Sequence, residues 1–320
     1  MDRRRLLGVA LAAASACGYG SGALFAKSVY GAGIDWLALL FWRFLIGGAL
    51  VWAWTLLFRD NRAALRALSL RRTLALLGLG AFFVMNASTY YAALQYVSAS
   101  LAALIVYIYP ALVAVLSIRW GHGLHGRRPW AALALVTFGV VLTIGGIETR
   151  ADPVGLVLIV ASPIIYSVYI MLAAHLAGER RGETAASRTG GAGAETRPAV
   201  AASLMITGTF AVVAVLAVAA GEPVLPGQVP AGAWLGLLGI AAFSTALSIT
   251  AFYAATARIG AAQTALISTV EPVWTITLAT IFFDERLGPI QLLGGALVIG
   301  GVILAQTTPG ATPDVVVEEA

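Results

Sequence analysis

The chain has 320 residues, of which 60% are hydrophobic and only 11% are charged, whereas about a quarter of an ordinary soluble domain is charged. This composition excludes a soluble fold. The net charge of +5 comes almost entirely from arginine, and the single cysteine, Cys17, excludes an intramolecular disulfide bond. Apolar stretches of about 20 residues, the length that crosses a bilayer, recur along nearly the whole chain, so its surroundings are the lipid bilayer.

These apolar stretches predict an all-α polytopic membrane protein with ten transmembrane helices, because a backbone in hydrocarbon must satisfy its hydrogen bonds within its own segment. The segment 59–72 is a longer, arginine-rich connection, and 178–198 has the composition of a flexible cytoplasmic loop. The tail 307–320 is predicted to be disordered and cytoplasmic. The predicted spans are 6–29, 35–58, 73–95, 99–119, 128–147, 154–176, 199–220, 232–256, 261–283 and 288–306.

The distribution of basic residues predicts the orientation. Threading the ten spans from a cytoplasmic N-terminus places 16 of the 20 lysines and arginines on the inner side, as the positive-inside rule requires. Only Arg150 and Arg286 fall in outer loops, while Lys27 and Arg43 lie within spans. The chain is therefore predicted to be a multi-pass protein of the cell inner membrane with both termini in the cytoplasm. The basic residues set this orientation and, scattered over loops, do not form the solvated basic face that binds nucleic acid.

An internal repeat relates the two halves of the sequence. When Tyr91–Leu142 is laid over Tyr253–Leu304 at a constant offset of 162, 16 of 52 positions are identical, and Pro110 meets Pro272 without a gap. Because each half contains five predicted spans, the second half enters the membrane from the opposite side. Inverted repeats are a recurrent transporter architecture, with the substrate site near the midplane. A non-transporting scaffold or sensor built from the same repeat is the competing interpretation.

Glu271 is the one acidic residue placed inside a predicted span, near the middle of the ninth. Burying a charge there costs at least about 2.5–3.5 kcal/mol on insertion scales, so such a residue faces a cavity or a partner. Glu271 is therefore the leading candidate for substrate contact or proton coupling. The alternative is a protonated acid that holds a neighbouring helix through a hydrogen bond.

Two prolines are candidate hinges. Pro272 follows Glu271 and lacks the amide hydrogen that would bond the carbonyl one turn earlier, so it predicts a kink and a free carbonyl at membrane depth. Pro110 has the same effect in the fourth span. The repeat offset makes Tyr109 the counterpart of Glu271, so we expect the two helices to present a phenol and a carboxyl group to one shared centre. Prolines also occur in membrane helices without a function.

Arg43 lies in the second span, within Trp42-Arg43-Phe44, and cannot lose its charge. It is a candidate counter-ion for Glu271 or a clamp for a substrate carboxylate, because the guanidinium group is a planar, bidentate donor. Snorkelling or pairing with backbone carbonyls is the structural alternative. Lys27, close to the outer end of the first span, is more simply explained by snorkelling.

Polar and aromatic residues within the spans are further candidates for substrate binding or coupling. Each one alone is also explained by an interfacial position or by helix packing. Their clustering around Glu271 favours a shared wall, and their aromatic character favours an amphipathic or aromatic solute. These candidates are Asn86, Tyr90, Tyr107, Tyr166, Ser244 and Trp274.

The sequence contains no signature of an enzyme. His122 and His125 form a His-x-x-His pair in a predicted cytoplasmic loop, without the nearby cysteine or acid that would complete a metal site. HExxH, glycine-rich phosphate-loop and aspartate-rich diphosphate motifs are absent. The sequence therefore predicts neither an enzyme nor a metal or cofactor, and it leaves proton coupling or uncoupled transport as alternatives.

The second half carries a recognisable motif set: Glu271-Pro272, then Asp284-Glu285-Arg286-Leu287, Gln291-Leu292-Leu293-Gly294 and Gly300-Gly301. It resembles the second repeat of EamA-type proteins, a family of the drug/metabolite transporter superfamily. The resemblance implies ten helices in two inverted repeats, here 8–147 and 154–306, with cytoplasmic termini and export of amino acids or other metabolites. The first half departs from the family where Gly121-His122-Gly123 stands in place of a frequent acidic turn.

The residues and the resemblance together predict a secondary transporter that exports a small metabolite such as an amino acid. Facilitated diffusion and proton antiport, each with alternating access, both fit. The sequence predicts no particular substrate and no oligomeric state.

Overall fold

The computed structural model describes residues 3–109, 112–113, 116, 127–145, 152–177, 197–259, 264, 267–268 and 270–306. Every regular element in these ranges is helical. The helices are α1 (Arg3–Gly20), α2 (Gly22–Gly31), α3 (Trp36–Leu57), α4 (Arg59–Ala67), α5 (Leu70–Ala93), α6 (Ala99–Val106), α7 (Arg127–Gly145), α8 (Pro153–Ala177), α9 (Pro198–Ala219), α10 (Trp234–Gly239), α11 (Ser248–Ile259), α12 (Val270–Phe283) and α13 (Pro289–Gln306). A π-helical segment, Ile240–Leu247, joins α10 to α11, and 3₁₀ turns at Pro226–Gln228 and Ala231–Ala233 precede α10.

The all-α, polytopic membrane fold predicted from composition is confirmed. Within the described ranges, six helical stretches are long and apolar enough to cross a membrane, and three shorter apolar helices accompany them. The count of ten spans stays a prediction, because the spans at 99–119 and 261–283 are only partly described. Pro110, His122, His125, most of the loop 178–198 and the tail 307–320 lie outside the described residues. The six longer stretches are Arg5–Gly31, Trp36–Leu57, Leu70–Ala93, Pro153–Leu172, Ala199–Ala219 and Ala231–Phe252.

Side-chain caps mark the starts of several helices, among them α3, α5, α6 and α8, where Asp152 accepts from the Val154 amide (2.8 Å). The carboxylate of Asp35 accepts a hydrogen bond from the Leu37 amide at the start of α3 (3.3 Å). The hydroxyls of Ser69 and Ser98 do the same for α5 and α6, at 3.4 and 3.1 Å. Asp and Ser are favoured at these positions because the first amides of a helix have no partner within the helix.

The arginine-rich connection at 59–72 contains the short helix α4, which the sequence interpretation left as a loop. Asp60 in its first turn and Arg66 in its last turn complement the helix dipole. The Arg62 guanidinium donates to the carbonyl of Leu56 at the end of α3 (2.5 Å). Helix α4 was not predicted, because it is short and charged and the prediction relied on long apolar runs.

Contacts between the halves follow the symmetry that the repeat predicts. The correspondence compares α1, α3, α5, α6 and α7, in that order, with α8, α9, α10–α11, α12 and α13. Under it, the most extensive pairings have counterparts. The packing of α1 against α11 corresponds to that of α8 against α5. The packing of α5 against α9 corresponds to that of the π segment against α3. The pairs α3–α9, α6–α12 and α7–α13 map onto themselves. This pattern indicates a pseudo-two-fold axis between the halves.

The seam between α7 and α13 shows the symmetry at single residues. A side chain on Gly139 would meet the Gly294 carbonyl oxygen (2.6 Å). A side chain on Gly301, which is Gly139 plus 162, would meet the carbonyl oxygen of Ala132 (2.9 Å), which is residue 294 minus 162. The contact is therefore reciprocal. The repeat boundaries at 8–147 and 154–306 stay a prediction.

Candidate functional site

Glu271, near the start of α12, lies against the end of α6. The Tyr107 hydroxyl, at the C-terminal end of α6, lies 3.2 Å from Oε2 of Glu271 and 2.8 Å from the carbonyl oxygen of Ser268. Residues 264, 267 and 268 are helical as well, so Pro272 of α12 has a helical residue four positions before it. In an α-helix the amide of residue 272 would bond to the carbonyl of residue 268, and proline has no such amide. The Tyr107 hydroxyl therefore lies within hydrogen-bonding distance of the Ser268 carbonyl, which Pro272 leaves without an amide donor, and of the Glu271 carboxyl group.

A row of aromatic rings runs from Tyr107 away from Glu271. The rings of Tyr107 and Tyr109 are 6.0 Å apart, and those of Tyr109 and Tyr166 are 4.9 Å apart. Tyr166 stacks on Tyr169 at 5.8 Å, and Phe83 of α5 closes the row at 5.1 Å from Tyr169. The row brings α6, α8 and α5 together, and it begins with tyrosines that the sequence predicted as candidates.

Arg43 forms a second polar cluster, on α3. Its side chain is only 9% exposed. Nε donates to the hydroxyl of Thr245 (3.0 Å), and the guanidinium carbon lies 4.7 Å from the centre of the Tyr91 ring, a distance suited to a cation–π interaction. Ion pairs between described residues do not include Arg43, and no described residue accepts a hydrogen bond from its terminal amino groups. The guanidinium is thus held in place with its charge-pairing capacity unused.

The π-helical segment positions Thr245, the hydrogen-bond acceptor of Arg43. The Thr245 hydroxyl donates to the carbonyl of Ile240 (3.1 Å), and the Ser248 hydroxyl, at the start of α11, donates to that of Phe243 (2.7 Å). Both side chains thus donate hydrogen bonds to carbonyls five residues earlier, the same spacing as the backbone hydrogen bonds of a π-helix. Ser244 is buried there as well. π-helical turns are frequent at functional sites.

Tyr90 adjoins the Arg43 cluster through Tyr91. The centres of the Tyr90 and Tyr91 rings are 5.0 Å apart. Arg43 and Glu271 form no ion pair with each other, so the counter-ion alternative for Arg43 does not hold in this conformation. The two charged side chains belong to one region but are separately held.

Three of the predicted site residues are only partly buried. Glu271, Tyr90 and Tyr109 each keep part of their surface exposed. The expectation that Tyr109 and Glu271 share a centre stays a prediction, and the phenol within hydrogen-bonding distance of Glu271 is that of Tyr107.

Helix α1 packs against α12 beside Glu271. The Trp274 indole donates to the Ser21 hydroxyl (3.0 Å), which lies at the break between α1 and α2. The Thr275 hydroxyl lies 3.0 Å from both the Gly20 and the Glu271 carbonyls. A side chain on Gly20 would meet the Glu271 carbonyl oxygen at 2.9 Å. Only glycine permits this approach of α1 to α12.

Asn86 takes part in a contact between two helices, and its predicted part in substrate binding stays a prediction. Its side-chain oxygen accepts a hydrogen bond from Ser162 of α8 (2.9 Å). The counterpart of this contact in the other half is the Ser15 hydroxyl, which donates to the Ser248 carbonyl (2.8 Å), and residue 248 is residue 86 plus 162. Asn86 thus contributes to a repeated helix contact.

Glu285 links three helices at the predicted outer end. Its carboxylate accepts hydrogen bonds from the amides of Ala99 and Ser100 (both 3.0 Å) at the start of α6. Lys27 of α2 lies 3.6 Å from the same carboxylate. Asp284, in the left-handed region with φ of 51°, ends α12 just before it. Lys27 is therefore an ion-pair partner, where the sequence favoured snorkelling.

Of the predicted site residues, the structure connects Glu271 with Tyr107, and Tyr107 with Tyr109 and Tyr166. Arg43 and Tyr90 both contact Tyr91, and Ser244 precedes Thr245, which accepts from Arg43. Trp274 lies one turn from Glu271, Pro272 is buried in α12, and Pro110 lies outside the described residues. Residues that sequence reasoning missed are Tyr91, Ser268, Ser21 and Phe83. The spacing could have found Ser268, because it precedes Pro272 by four positions.

The part of the chain that the structure describes contains no group of three or more His, Cys, Asp or Glu side chains that could hold a metal ion.

Comparisons with known proteins agree with this architecture. An uncharacterized transporter of Bacillus subtilis (strain 168), YcbK, is 26% identical over 294 residues, covering 90% of this chain and 88% of the relative. The threonine/homoserine exporter RhtA of Escherichia coli (strain K12) is 28% identical over 221 residues, covering 68% of this chain and 64% of that exporter. A solved crystal structure shares the fold, with a TM-score of 0.62, 19% identity, and coverage of 93% and 96% of the two chains.

The paired helical halves, with charged groups enclosed between them, define a multi-pass membrane transporter of the two-repeat type. The model of the EamA-like transporter family matches residues 6–145 and 153–307. The chain belongs to the EamA-like transporter family, and the resemblance noted from the second-half motif is confirmed.

Proposed function

We propose that this transporter exports a small carboxylate-bearing metabolite, such as an amino acid, in exchange for protons by alternating access. The observation that supports this most directly is the buried guanidinium of Arg43, which is oriented by Thr245 and Tyr91 and has no carboxylate partner among the described residues. A buried cation without a counter-ion is costly, and a substrate carboxylate would supply one in bidentate geometry.

Glu271 is proposed as the proton-coupling residue. It is half-buried, forms no ion pair with Arg43, and has a hydroxyl neighbour in Tyr107, so it can bind and release a proton without an ion-pair partner. The tyrosines between the clusters would contact the rest of the substrate. The described exporter relative acts on threonine and homoserine, which agrees in chemical class with a carboxylate clamp.

The proposal includes an orientation. Both termini are placed in the cytoplasm and the protein in the cell inner membrane, which follows from the inner-side excess of arginine. The site, the coupling and the orientation together describe a secondary exporter with the substrate site between two inverted repeats.

The test is transport in liposomes containing the purified protein, with labelled amino acids and an imposed pH gradient. Arg43→Ala should weaken substrate binding about tenfold or more, because it removes hydrogen bonds to a charged group. Glu271→Gln should abolish gradient-driven transport and preserve substrate exchange.

Two matched controls use charged residues outside the spans. Glu222→Gln removes another half-buried acid, whose pKa is raised by burial and, to a smaller extent, by Asp35. Arg286→Ala removes an exposed arginine. Both should transport as the wild type does. Flux that ignores the pH gradient would indicate facilitated diffusion. Absence of flux for every carboxylate tested would reject the proposal and favour a scaffold or sensor.

A further inference from the structure

The Tyr107 hydroxyl has one proton and two acceptors within reach. The Ser268 carbonyl oxygen is 2.8 Å away and Oε2 of Glu271 is 3.2 Å away. A hydroxyl donates one hydrogen bond and accepts others. Only one of the two oxygens can therefore receive the Tyr107 proton at a time, and the protonation state of Glu271 decides which.

When Glu271 is protonated, all three groups are satisfied. The acid donates its own proton to the Tyr107 oxygen, and Tyr107 donates to the Ser268 carbonyl. When Glu271 is ionised, its carboxylate can only accept, and a hydrogen bond to a charged acceptor is stronger than one to a neutral carbonyl. Tyr107 then turns to the carboxylate, and the Ser268 carbonyl loses its donor.

The Ser268 carbonyl matters because Pro272 follows it by four positions. In an unbroken helix this carbonyl would be bonded by the amide of residue 272, which proline lacks. The Tyr107 hydroxyl substitutes for the missing amide. Withdrawing it leaves a polar backbone group without a partner at the point where the helix is already weakened, and kinks in helices occur at such points.

We propose that Tyr107 is a positioning residue that couples the protonation of Glu271 to the Pro272 hinge, by donating its single proton either to the Ser268 carbonyl or to the carboxylate. Proton loss from Glu271 thereby loosens the start of α12. The proposal rests on the transport function proposed above and gives a physical link between proton binding and helix movement.

The surroundings of Glu271 leave Tyr107 as its hydrogen-bond partner. Tyr109 also lies within electrostatic range, and so does Tyr90 of α5. Helices α1 and α2, which pack on α12 as α6 does, carry the charged or titratable residues Arg3, Arg4, Arg5, Cys17, Tyr19, Lys27 and Tyr30. Lys27 is engaged by Glu285. Among the described residues, no ion pair includes Glu271.

The test is hydrogen–deuterium exchange by mass spectrometry on the full-length protein, read over peptides covering α12. The comparison is between wild type and Glu271→Gln at the same pH, because a glutamine amide donates to Tyr107 as the protonated acid does. At acidic pH the two should exchange equally. At alkaline pH wild-type α12 should exchange about two- to tenfold faster, the range for loss of one hydrogen bond.

Two further variants identify Tyr107 as the link. In a Tyr107→Phe background, the difference in exchange between glutamate and glutamine at position 271 should disappear, since phenylalanine leaves the Ser268 carbonyl free at every pH. Tyr30→Phe is the matched control, because Tyr30 also donates to a backbone carbonyl, that of Tyr91 (2.7 Å), and does not contact Glu271. It should leave the difference intact.

If Tyr107→Phe does not fold, Pro272→Ala tests the same link. Pro272→Ala restores the amide that bonds to Ser268 and should shrink the difference between glutamate and glutamine at position 271. The proposal is overturned if wild type and Glu271→Gln exchange alike at alkaline pH, or if their difference survives Tyr107→Phe. These readouts need no flux, so absence of transport would reject the proposed function separately.

Discussion

Glu285 connects α2, α6 and α12 through one carboxylate, and it belongs to the second-half motif that resembles the family. Free amides and the helix dipole at the start of α6 favour an anion at this position. The ion pair with Lys27 adds a second attachment, with the two side chains 23% and 14% exposed. The carboxylate therefore fastens the predicted outer ends of helices from both repeats.

Replacing Glu285 with Gln should lower the free energy of unfolding by about 1–3 kcal/mol, because it removes hydrogen bonds between a charged acceptor and partly buried amides. Thermal unfolding in detergent measures the effect. Arg286→Ala is the neighbouring control, since its ion pair with Asp284 is solvent-exposed and contributes little. Equal unfolding temperatures for the two variants would contradict the role given to Glu285.

Some residues of the candidate site can be predicted from the sequence and others cannot. Glu271 and Arg43 are conspicuous, because a charge in an apolar span is costly. Ser268 and Tyr91 are not, because one acts through its backbone carbonyl and the other through a ring face, and neither role depends on an unusual residue type. The pairing of Arg43 with Thr245 rather than with Glu271 depends on helix rotation, which charge alone does not predict.

At the scale of helices, α5 and α9 approach most closely at glycines. A side chain on Gly80 would collide with the carbonyl of Met205, and one on Gly208 would collide with that of Leu77. The Thr209 hydroxyl donates to the Gly80 carbonyl across this contact (2.8 Å). Small residues at such crossings let membrane helices pack backbone to backbone.

Gly80→Ala should separate α5 from α9 and destabilise the protein by about 1–3 kcal/mol, the usual cost of overpacking. Gly78→Ala is the matched control in the same helix, because nothing lies within 4 Å of a side chain added there. Thermal unfolding of the two variants in the same detergent measures the difference. An equal loss of stability in both would place the effect in the helix itself and not in its contact.

The spans of these helices were predictable from apolar length, since the hydrocarbon thickness fixes it. The π segment at Ile240–Leu247 was not, because one extra residue per turn leaves composition unchanged. Helix α4 was missed for the opposite reason, as it is too short and too charged to register as a span. Both elements nevertheless shape the region around α3.

At the scale of the whole molecule, the repeat at an offset of 162 predicted the arrangement of the halves. Ungapped tyrosines and prolines identified it, and the reciprocal contacts of Gly139 and Gly301 show its consequence in three dimensions. Orientation in the membrane depends on the arginine distribution and stays a prediction.

Cysteine labelling tests that orientation in a Cys17→Ala background. Gly227→Cys, in the exposed turn before α10, should react with an impermeant maleimide in intact cells, and nothing lies within 4 Å of a side chain added there. Arg71→Cys, exposed at the start of α5, should react only after the cells are permeabilised. Labelling of Arg71→Cys in intact cells would reverse the predicted topology.

The seam between α7 and α13 has a mechanical consequence. In alternating access between inverted repeats, each repeat adopts the conformation of the other, and the site then opens to the other side of the membrane. The α1–α11 contact would then adopt the geometry of the α8–α5 contact, and the reverse. A contact that maps onto itself is unaltered by this exchange. Under the proposed alternating access, the glycine seam is thus one of three helix pairings, with α3–α9 and α6–α12, that both conformations would share.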